Sequence, residues 1–290
     1  MIPVIGRQPL RRLGAQRLGS ISSAPVAARE KRPFVQRLFT AIAPRYDWFN
    51  RLASCGLDQR WRKEAVVRGG IQPGQRILDV CAGTGDLSFL CAKRQRGDGT
   101  IVGVDLNLEM LRYARRKQGR NRVAIGPAQR TPDLSRGAGC RPPWGRGVDA
   151  TGAPGGLHWC QGDAEQLPFA DGMFDRVFIG FSTRNLADLM AGLREMTRVL
   201  RPQGRLIVLE TGYPTRPILR VGYFVFLATV ARLIGFVLTG RIWPFTYLAR
   251  SVQRFLTPQQ FIERLQLVSA QVDYAPLSHG LASLYVATKL

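Results

Sequence analysis

The chain has 290 residues, 45% of them hydrophobic, enough for one well-buried domain with appendages. Its net charge of +22 invites a polyanionic partner, yet residues 1–33 carry +6 and residues 115–156 carry +7, leaving +9 for the rest. Charge concentrated in two poorly patterned segments argues against a dedicated nucleic-acid surface, and no nucleic-acid partner is expected.

The five cysteines, at 55, 81, 91, 140 and 160, form no C-x-x-C pair, and their odd number argues against a disulfide framework. His158 lies two residues before Cys160, but no further ligands cluster there, so no metal site is expected. The chain reads as intracellular, with reduced thiols.

Residues 1–30 read as disordered. The first 29 hold five Arg, several Ser and no acid, a composition resembling an organelle transit peptide and equally an unstructured bacterial extension. Residues 1–33 are therefore set apart from a domain spanning 34–290. Helical spacing begins with Phe34, Leu38, Phe39 and Ile42, breaks at Pro44, and resumes from about Asp58 to Val67. Strands are predicted at Arg76–Cys81 and Ile101–Asp105, with helices at Gly85–Lys93 and Leu108–Lys117.

Residues 119–156 are rich in Gly, Pro and Arg and read as a flexible insertion. Strands follow at Leu157–Gln161, Phe174–Phe181 and Arg205–Glu210, around an amphipathic helix at Leu186–Leu200. Such alternation predicts an α/β fold, a parallel sheet with helices on both faces. Residues 217–238 form a very apolar helical stretch. Its longest uninterrupted run, Val221–Ala231 between Arg220 and Arg232, falls short of the ~20 residues a membrane span needs. Thr257, Pro258 and Gln260 predict a capped helix to about Leu267, and two strands close the chain near 270–274 and 282–288.

The segment Leu78-Asp79-Val80-Cys81-Ala82-Gly83-Thr84-Gly85-Asp86 ends a strand and opens a helix. Small residues at that junction let a ligand approach the backbone, and the helix start offers unpaired N–H groups. Asp105, twenty residues beyond Gly85, ends the next strand, where a carboxylate accepts from both hydroxyls of a ribose. A dinucleotide-binding turn would carry glycine where this chain has Ser88, which disfavours that reading. Asp163 and Ala164 follow the strand after the insertion, where an acid reaches an adenine amino group or merely forms a surface turn. Leu167 and Phe169 are expected to pack under the sheet edge.

Two longer patterns carry a resemblance. Phe39-Thr40-Ala41-Ile42-Ala43-Pro44-Arg45-Tyr46-Asp47, then Asn50, Gly56-Leu57-Asp58 and Trp61-Arg62, form the first. The second is Gly180-Phe181-Ser182-Thr183-Arg184-Asn185, continued by Glu195-Met196, Arg198-Val199-Leu200 and Leu209-Glu210. Over about residues 34–290, apart from the insertion, the chain resembles the ubiquinone/menaquinone biosynthesis C-methyltransferases. The resemblance implies a Rossmann-like class I methyltransferase with a seven-stranded, mostly parallel sheet and one antiparallel strand. It implies S-adenosylmethionine held by Thr84, Asp105, Asp163 and Ala164, with Gly83, Gly85 and Tyr46 beside it. The implied substrate is a polyprenylated benzoquinol or naphthoquinol.

Arg184 is the candidate for stabilising the ring oxyanion or for polarising a water that takes the proton, or else a structural ion-pair residue. Tyr46 and Asp47 are expected to close over the cofactor, with helix capping the alternative for Asp47. His279 is a candidate base or a structural histidine. The apolar stretch 217–238, flanked by Arg216, Arg220, Arg232 and Arg241, suits a prenyl tail, peripheral contact with the inner face of a bacterial membrane, or a homodimer. The compartment is cytoplasmic on that reading, and mitochondrial or plastid if residues 1–30 are a transit peptide. Cys81, Gly180, Ser278-His279-Gly280 and Tyr285 depart from the family pattern, and the last three are expected near the ring site. These departures leave open another lipid or phenolic substrate, or a non-catalytic cofactor-binding scaffold.

Overall fold

The computed structural model describes residues 28–96, 99–120 and 156–290. The readings made on residues 1–27, and on the insertion beyond Arg120 and before Gly156, lie outside them.

Seven strands form one sheet in the order β3-β2-β1-β4-β5-β7-β6. They are β1 (Arg76–Val80), β2 (Thr100–Asp105), β3 (Gly156–Gln161), β4 (Phe174–Gly180), β5 (Leu200–Thr211), β6 (Gln271–Leu277) and β7 (Ala282–Thr288). Every pairing is parallel except those of β7, which runs against both β5 and β6. The Rossmann-like expectation, including one antiparallel strand, therefore holds. β1 and β4 are buried along nearly their whole length, as central parallel strands covered on both faces must be.

The chain winds from β1 outward through β2 and β3, then returns to add β4 and β5 on the other side of β1. That reversal opens a crevice beyond the C-terminal ends of β1 and β4. Val80 pairs with both Val104 and Ile179, so the ends of β1, β2 and β4 come together there.

The helices covering the sheet include α3 (Leu57–Gly69), α4 (Asp86–Gln95), α5 (Leu108–Arg120), α6 (Leu189–Arg198) and α10 (Pro258–Gln266). Thr257 caps α10 in a reciprocal capping box with Gln260, as its sequence predicts. The remaining helices form a cap over the crevice: α1 (Ala28–Ile42), α2 (Tyr46–Ala53), α7 (Pro217–Ala228), α8 (Val230–Thr239) and α9 (Trp243–Gln253). A separate apolar cluster of Leu38, Ile42, Phe49, Leu227, Ala231, Phe245, Ala249 and Val252 joins these two distant stretches.

Several boundaries differ from the sequence reading. α1 starts at Ala28 and contains Pro33, rather than starting at Phe34. The apolar stretch is two helices that part at Thr229 (φ −120°, ψ −77°), whose hydroxyl bonds the Val225 carbonyl. Across that break Pro217–Thr239 is 23 residues long and holds an 18-residue window with a mean hydropathy of 2.1, long and apolar enough to cross a membrane by length and composition. The shorter sequence estimate counted only the run free of charges between Arg220 and Arg232, and the longer stretch includes both. Cys160 is disulfide-bonded, contrary to the reduced state inferred from the odd cysteine count.

Candidate active site

The turn after β1 is held open by backbone geometry. Cys81 (φ 55°), Gly83 (φ 58°) and Gly85 (φ 85°) all lie in the left-handed region. At Gly85 a Cβ would stand 2.4 Å from the Trp159 ring, so glycine is required for close packing as well as for φ. At Gly83 nothing lies within 4 Å of a Cβ position, and this residue opens onto the crevice. Phe181, at the end of β4, is also left-handed (φ 57°). The two non-glycine residues that end neighbouring central strands at the crevice thus both carry backbone strain, which accumulates at functional sites.

Asp105 braces this turn. Its carboxylate accepts from the Gly83 N–H (2.8 Å) and the Asn107 N–H (2.7 Å). Burial pushes its carboxyl up to about 6, while those two N–H groups pull it back down. Each oxygen keeps a lone pair for a hydroxyl donor.

A cleft of about 80 Å³ is lined by Gly83, Asp105, Asp163, Ala164 and Tyr46 among others. Five of the seven predicted cofactor residues thus share one wall. Thr84 and Gly85 do not line it. The Thr84 hydroxyl donates to Asp47 (2.5 Å), and Lys117 ties Asp47 (2.7 Å), Asp86 (2.5 Å) and Thr84 (3.2 Å) into one network at the cleft's edge. Asp47 therefore bridges α2 to the turn after β1. Desolvation of Asp86 is outweighed by the Lys117 and Arg62 cations and the Gln59 amide together, and its carboxyl lies below the usual range.

Helix α1 lies across the cleft. Arg32 pairs with Glu165 (2.6 Å) and Asp163 (3.3 Å), Lys31 donates to the Leu186 carbonyl (2.5 Å), and Asn107 donates to Gln36 and Thr40. The cleft is therefore nearly shut, well below the ~300–1,000 Å³ usual for ligand pockets.

Next to it lies a cavity of about 600 Å³ with an almost wholly apolar wall, drawn from α1, α2, α3, α7 and α9. Phe39, Tyr46 and Asn185 line both spaces. Arg184 lines the larger one from the short 3-10 turn Thr183–Asn185. Its guanidinium donates to the Phe181 carbonyl (2.6 Å) and to Glu210 (2.5 Å), a carboxylate only 1% exposed. Glu210 also accepts from the Thr183 hydroxyl (2.6 Å) and the Thr211 N–H (2.8 Å). Arg184 is thus both a member of a buried ion pair and a wall of the cavity. Its Nε is buried without a partner, as is the Asn185 Nδ2. Burial raises the phenols of Tyr46 and Tyr247 at this wall, so both stay protonated.

Two departures from the family pattern fall elsewhere than expected. His279 is exposed on the turn Ser278–Gly280 and does not line the cavity, so geometry offers it no role as base. Tyr285 is 3% exposed and packs against Phe261 (4.8 Å between centroids) in the sheet core. Ser278 does touch the site indirectly, accepting from the Nε1 of Trp61, a cavity residue. Gly180 leaves ordinary space: a Cβ would sit 3.4 Å from an Arg62 nitrogen. Leu167 and Phe169 are buried in the core as predicted.

The ubiE/COQ5 methyltransferase family model matches residues 26–125 and 148–289. The chain belongs to this family. It is 35% identical over 271 residues to a demethylmenaquinone methyltransferase of Symbiobacterium thermophilum, covering 91% of this chain and 96% of that one. It is 34% identical over 265 residues to the ubiquinone/menaquinone biosynthesis C-methyltransferase of Geotalea uraniireducens, covering 90% and 98%. A solved methyltransferase from Aquifex aeolicus is similar in fold, with a TM-score of 0.51 at 14% identity over 79% of this chain and 89% of that one. Membership makes the chain a methyltransferase with S-adenosylmethionine as methyl donor.

The cleft fits that donor. Gly83 presents an open backbone, Asp105 has acceptor capacity for ribose hydroxyls, and Leu106 and Met110 supply apolar wall for an adenine. Arg32 and Lys117 at the cleft were missed by sequence reasoning, and Arg62 and Glu210 of the neighbouring cavity were named in the motifs without a role.

Proposed function

We propose that the enzyme C-methylates the ring of a polyprenylated quinol, with the ring at Arg184 and the isoprenoid tail in the apolar cavity. The observation that carries this reading is the shared wall. A 600 Å³ apolar space abuts the cofactor cleft through Phe39, Tyr46 and Asn185, with a buried arginine at its polar end. The relatives' names, demethylmenaquinone methyltransferase and ubiquinone/menaquinone C-methyltransferase, support it.

S-adenosylmethionine, when bound, supplies an electrophilic methyl group. The protein's task is to make a ring carbon nucleophilic and aim it. Ionising a ring hydroxyl pushes electron density onto the ortho carbon. Arg184, held by Glu210 and the Phe181 carbonyl, sets a fixed cation where that oxygen's charge develops, and the apolar surround strengthens it. Asn185 adds a free N–H beside it: its Oδ1 accepts from the Tyr247 hydroxyl (3.2 Å), leaving Nδ2 unpaired. Orientation of this kind supplies roughly 7–11 kcal/mol in favourable cases.

The same reading places α7 and α8 at a membrane surface. Ile218 (87% exposed), Val221 and Val237 (74%) face outward, and Ile218 also lines the cavity, so the tail's route out leads to this face. Arg216 and Arg241, both exposed, stand at either end of it, suited to anionic headgroups. Flotation with anionic vesicles tests this, with a concentration-dependent dimer in place of flotation as the competing outcome for the same face.

The deciding measurement is methyl transfer from labelled S-adenosylmethionine to reduced demethylmenaquinol and to the matching benzoquinol. We expect transfer to one of them, abolished in Asp105→Ala and reduced on the order of 1,000-fold in Arg184→Ala. Cofactor binding with no transfer to either quinol would move the reading to another phenol or to a scaffold.

A further inference from the structure

The apolar cavity contains a second buried cation, one for which the protein supplies no hydrogen-bond acceptor. Arg62, on α3, is 7% exposed and lines the cavity. Among the described residues its guanidinium makes no hydrogen bond, and its Nε is buried without a partner. The nearest carboxylate oxygen, on Asp58, is 3.7 Å away, beyond hydrogen-bond range. The group instead stands 5.0 Å from the Phe181 ring centroid. Its Nε–H is buried unmet and its terminal N–H groups meet no protein acceptor, which costs free energy that a ligand recovers.

Asp58 complements it. This carboxylate is 4% exposed, lines the same cavity, and accepts from the Ser54 hydroxyl (3.1 Å) and the Gln59 amide (3.0 Å). Lone pairs remain. Asp58 and Arg62 together therefore present an acceptor and a donor, the pair a neutral hydroxyl requires. The other polar end of the cavity differs in kind. Arg184 Nε and Asn185 Nδ2 offer donors alone, which suits an oxyanion. The two ends flank one residue, Phe181: Arg184 donates to its carbonyl and Arg62 lies over its ring.

We propose that Asp58 and Arg62 bind the ring hydroxyl opposite the one that ionises, so that the site selects a 1,4-diol over a monophenol. This rests on the quinol reading above. The hydroxyl donates to Asp58 and accepts from Arg62, which keeps that oxygen protonated. The other oxygen meets Arg184. Holding both ends fixes which ring carbon faces the wall shared with the cofactor cleft, so Arg62 is a specificity-determining residue for ring orientation.

The test compares two acceptors: the 1,4-quinol that the wild type methylates, and the matching monophenol that keeps only the hydroxyl next to the methylated carbon. The wild type should prefer the quinol on the order of 100-fold in kcat/KM. In Arg62→Met the quinol value should fall on the order of 100-fold, and the monophenol value by less than about 3-fold. Arg62→Lys, which keeps the charge, should lose about 10-fold on the quinol alone and is the variant to read if Arg62→Met does not fold. Quenching of Trp61, which lines the cavity, gives the same comparison as binding without turnover. S-adenosylmethionine affinity should be unchanged in both variants. Equal losses on quinol and monophenol would make Arg62 merely structural and overturn the proposal, as would no loss on either. A wild type inactive on every quinol would remove the quinol reading, and this inference with it.

Discussion

The two spaces at the crevice are built in opposite ways. The cofactor cleft is small, nearly closed, and set by loops that follow β1, β2 and β3, each a few residues from a sheet that fixes its position, with α1 across it. The apolar cavity is more than seven times larger and made from helices at both ends of the chain, α1–α3 and α7 with α9. One space is a property of a local strand-turn-helix unit. The other exists only once residues about 200 positions apart have met, as Phe49 meets Phe245 at 4.4 Å. Methyl transfer needs both, and Phe39, Tyr46 and Asn185 are where they touch.

The sharpest way to break the comparison is at Glu210, which serves the cavity side alone. Glu210→Ala leaves the Arg184 guanidinium buried without its carboxylate and frees the Thr183 and Thr211 donors. Removing one partner of such a pair costs about 3–5 kcal/mol. We expect denaturant unfolding to show that loss, with transfer activity collapsing while S-adenosylmethionine affinity stays within a few-fold. A large fall in cofactor affinity would show that the two spaces are one mechanical unit.

Asp105 offers the converse. Asp105→Ala should weaken S-adenosylmethionine on the order of 100-fold by calorimetry, from the loss of charged hydrogen bonds to ribose, and should leave quinol-analogue binding in the cavity unchanged. Its titration gives a second handle. Burial raises the carboxyl from 3.8 to about 6, so in the free enzyme it contributes stability that is complete below pH 3.8 and lost as pH rises through 6. Cofactor binding uses the carboxylate and runs the other way, falling about tenfold per pH unit below 6. Melting curves should therefore show stabilisation by S-adenosylmethionine appearing as pH rises through 6, and Asp105→Asn should lack both trends.

The same contrast explains what was legible in the sequence. All seven strands lie close to where alternating strand and helix signals place them, because each buried strand writes its own local pattern, such as Ile77–Val80 or Val177–Ile179. Gly83, Asp105 and Asp163 were legible for the same reason, since each ends or follows a strand at fixed spacing, and the family resemblance added Ala164. The cavity was not. Arg62 reads on its own helix as one cation among many, and only the fold brings it over Phe181. Thr84 was assigned to the cofactor by the family resemblance, but Asp47 and Lys117, 37 and 33 residues away, claim its hydroxyl. The start of α1 was missed because Arg29–Pro33 carries four charges and a proline, so it reads as extension rather than helix.

That missed turn holds Arg32, and its effect should be the smallest. Arg32 is 47% exposed, and its pairing with Asp163 and Glu165 is worth about 0.2–1 kcal/mol after solvent screening. The pairing holds α1 over a cleft too narrow for the methyl donor, and it occupies the acid assigned to the adenine. A cofactor that binds only the open form has its affinity reduced by the fraction of open molecules. Arg32→Ala should therefore tighten S-adenosylmethionine by about 2- to 5-fold, through faster association in stopped-flow mixing. High salt should do the same to the wild type and nothing further to the variant, since it screens the same exposed pair. Weaker binding in Arg32→Ala would mean that α1 packs on the bound cofactor more than it obstructs its entry, and would make the narrow cleft a feature of the bound state as well.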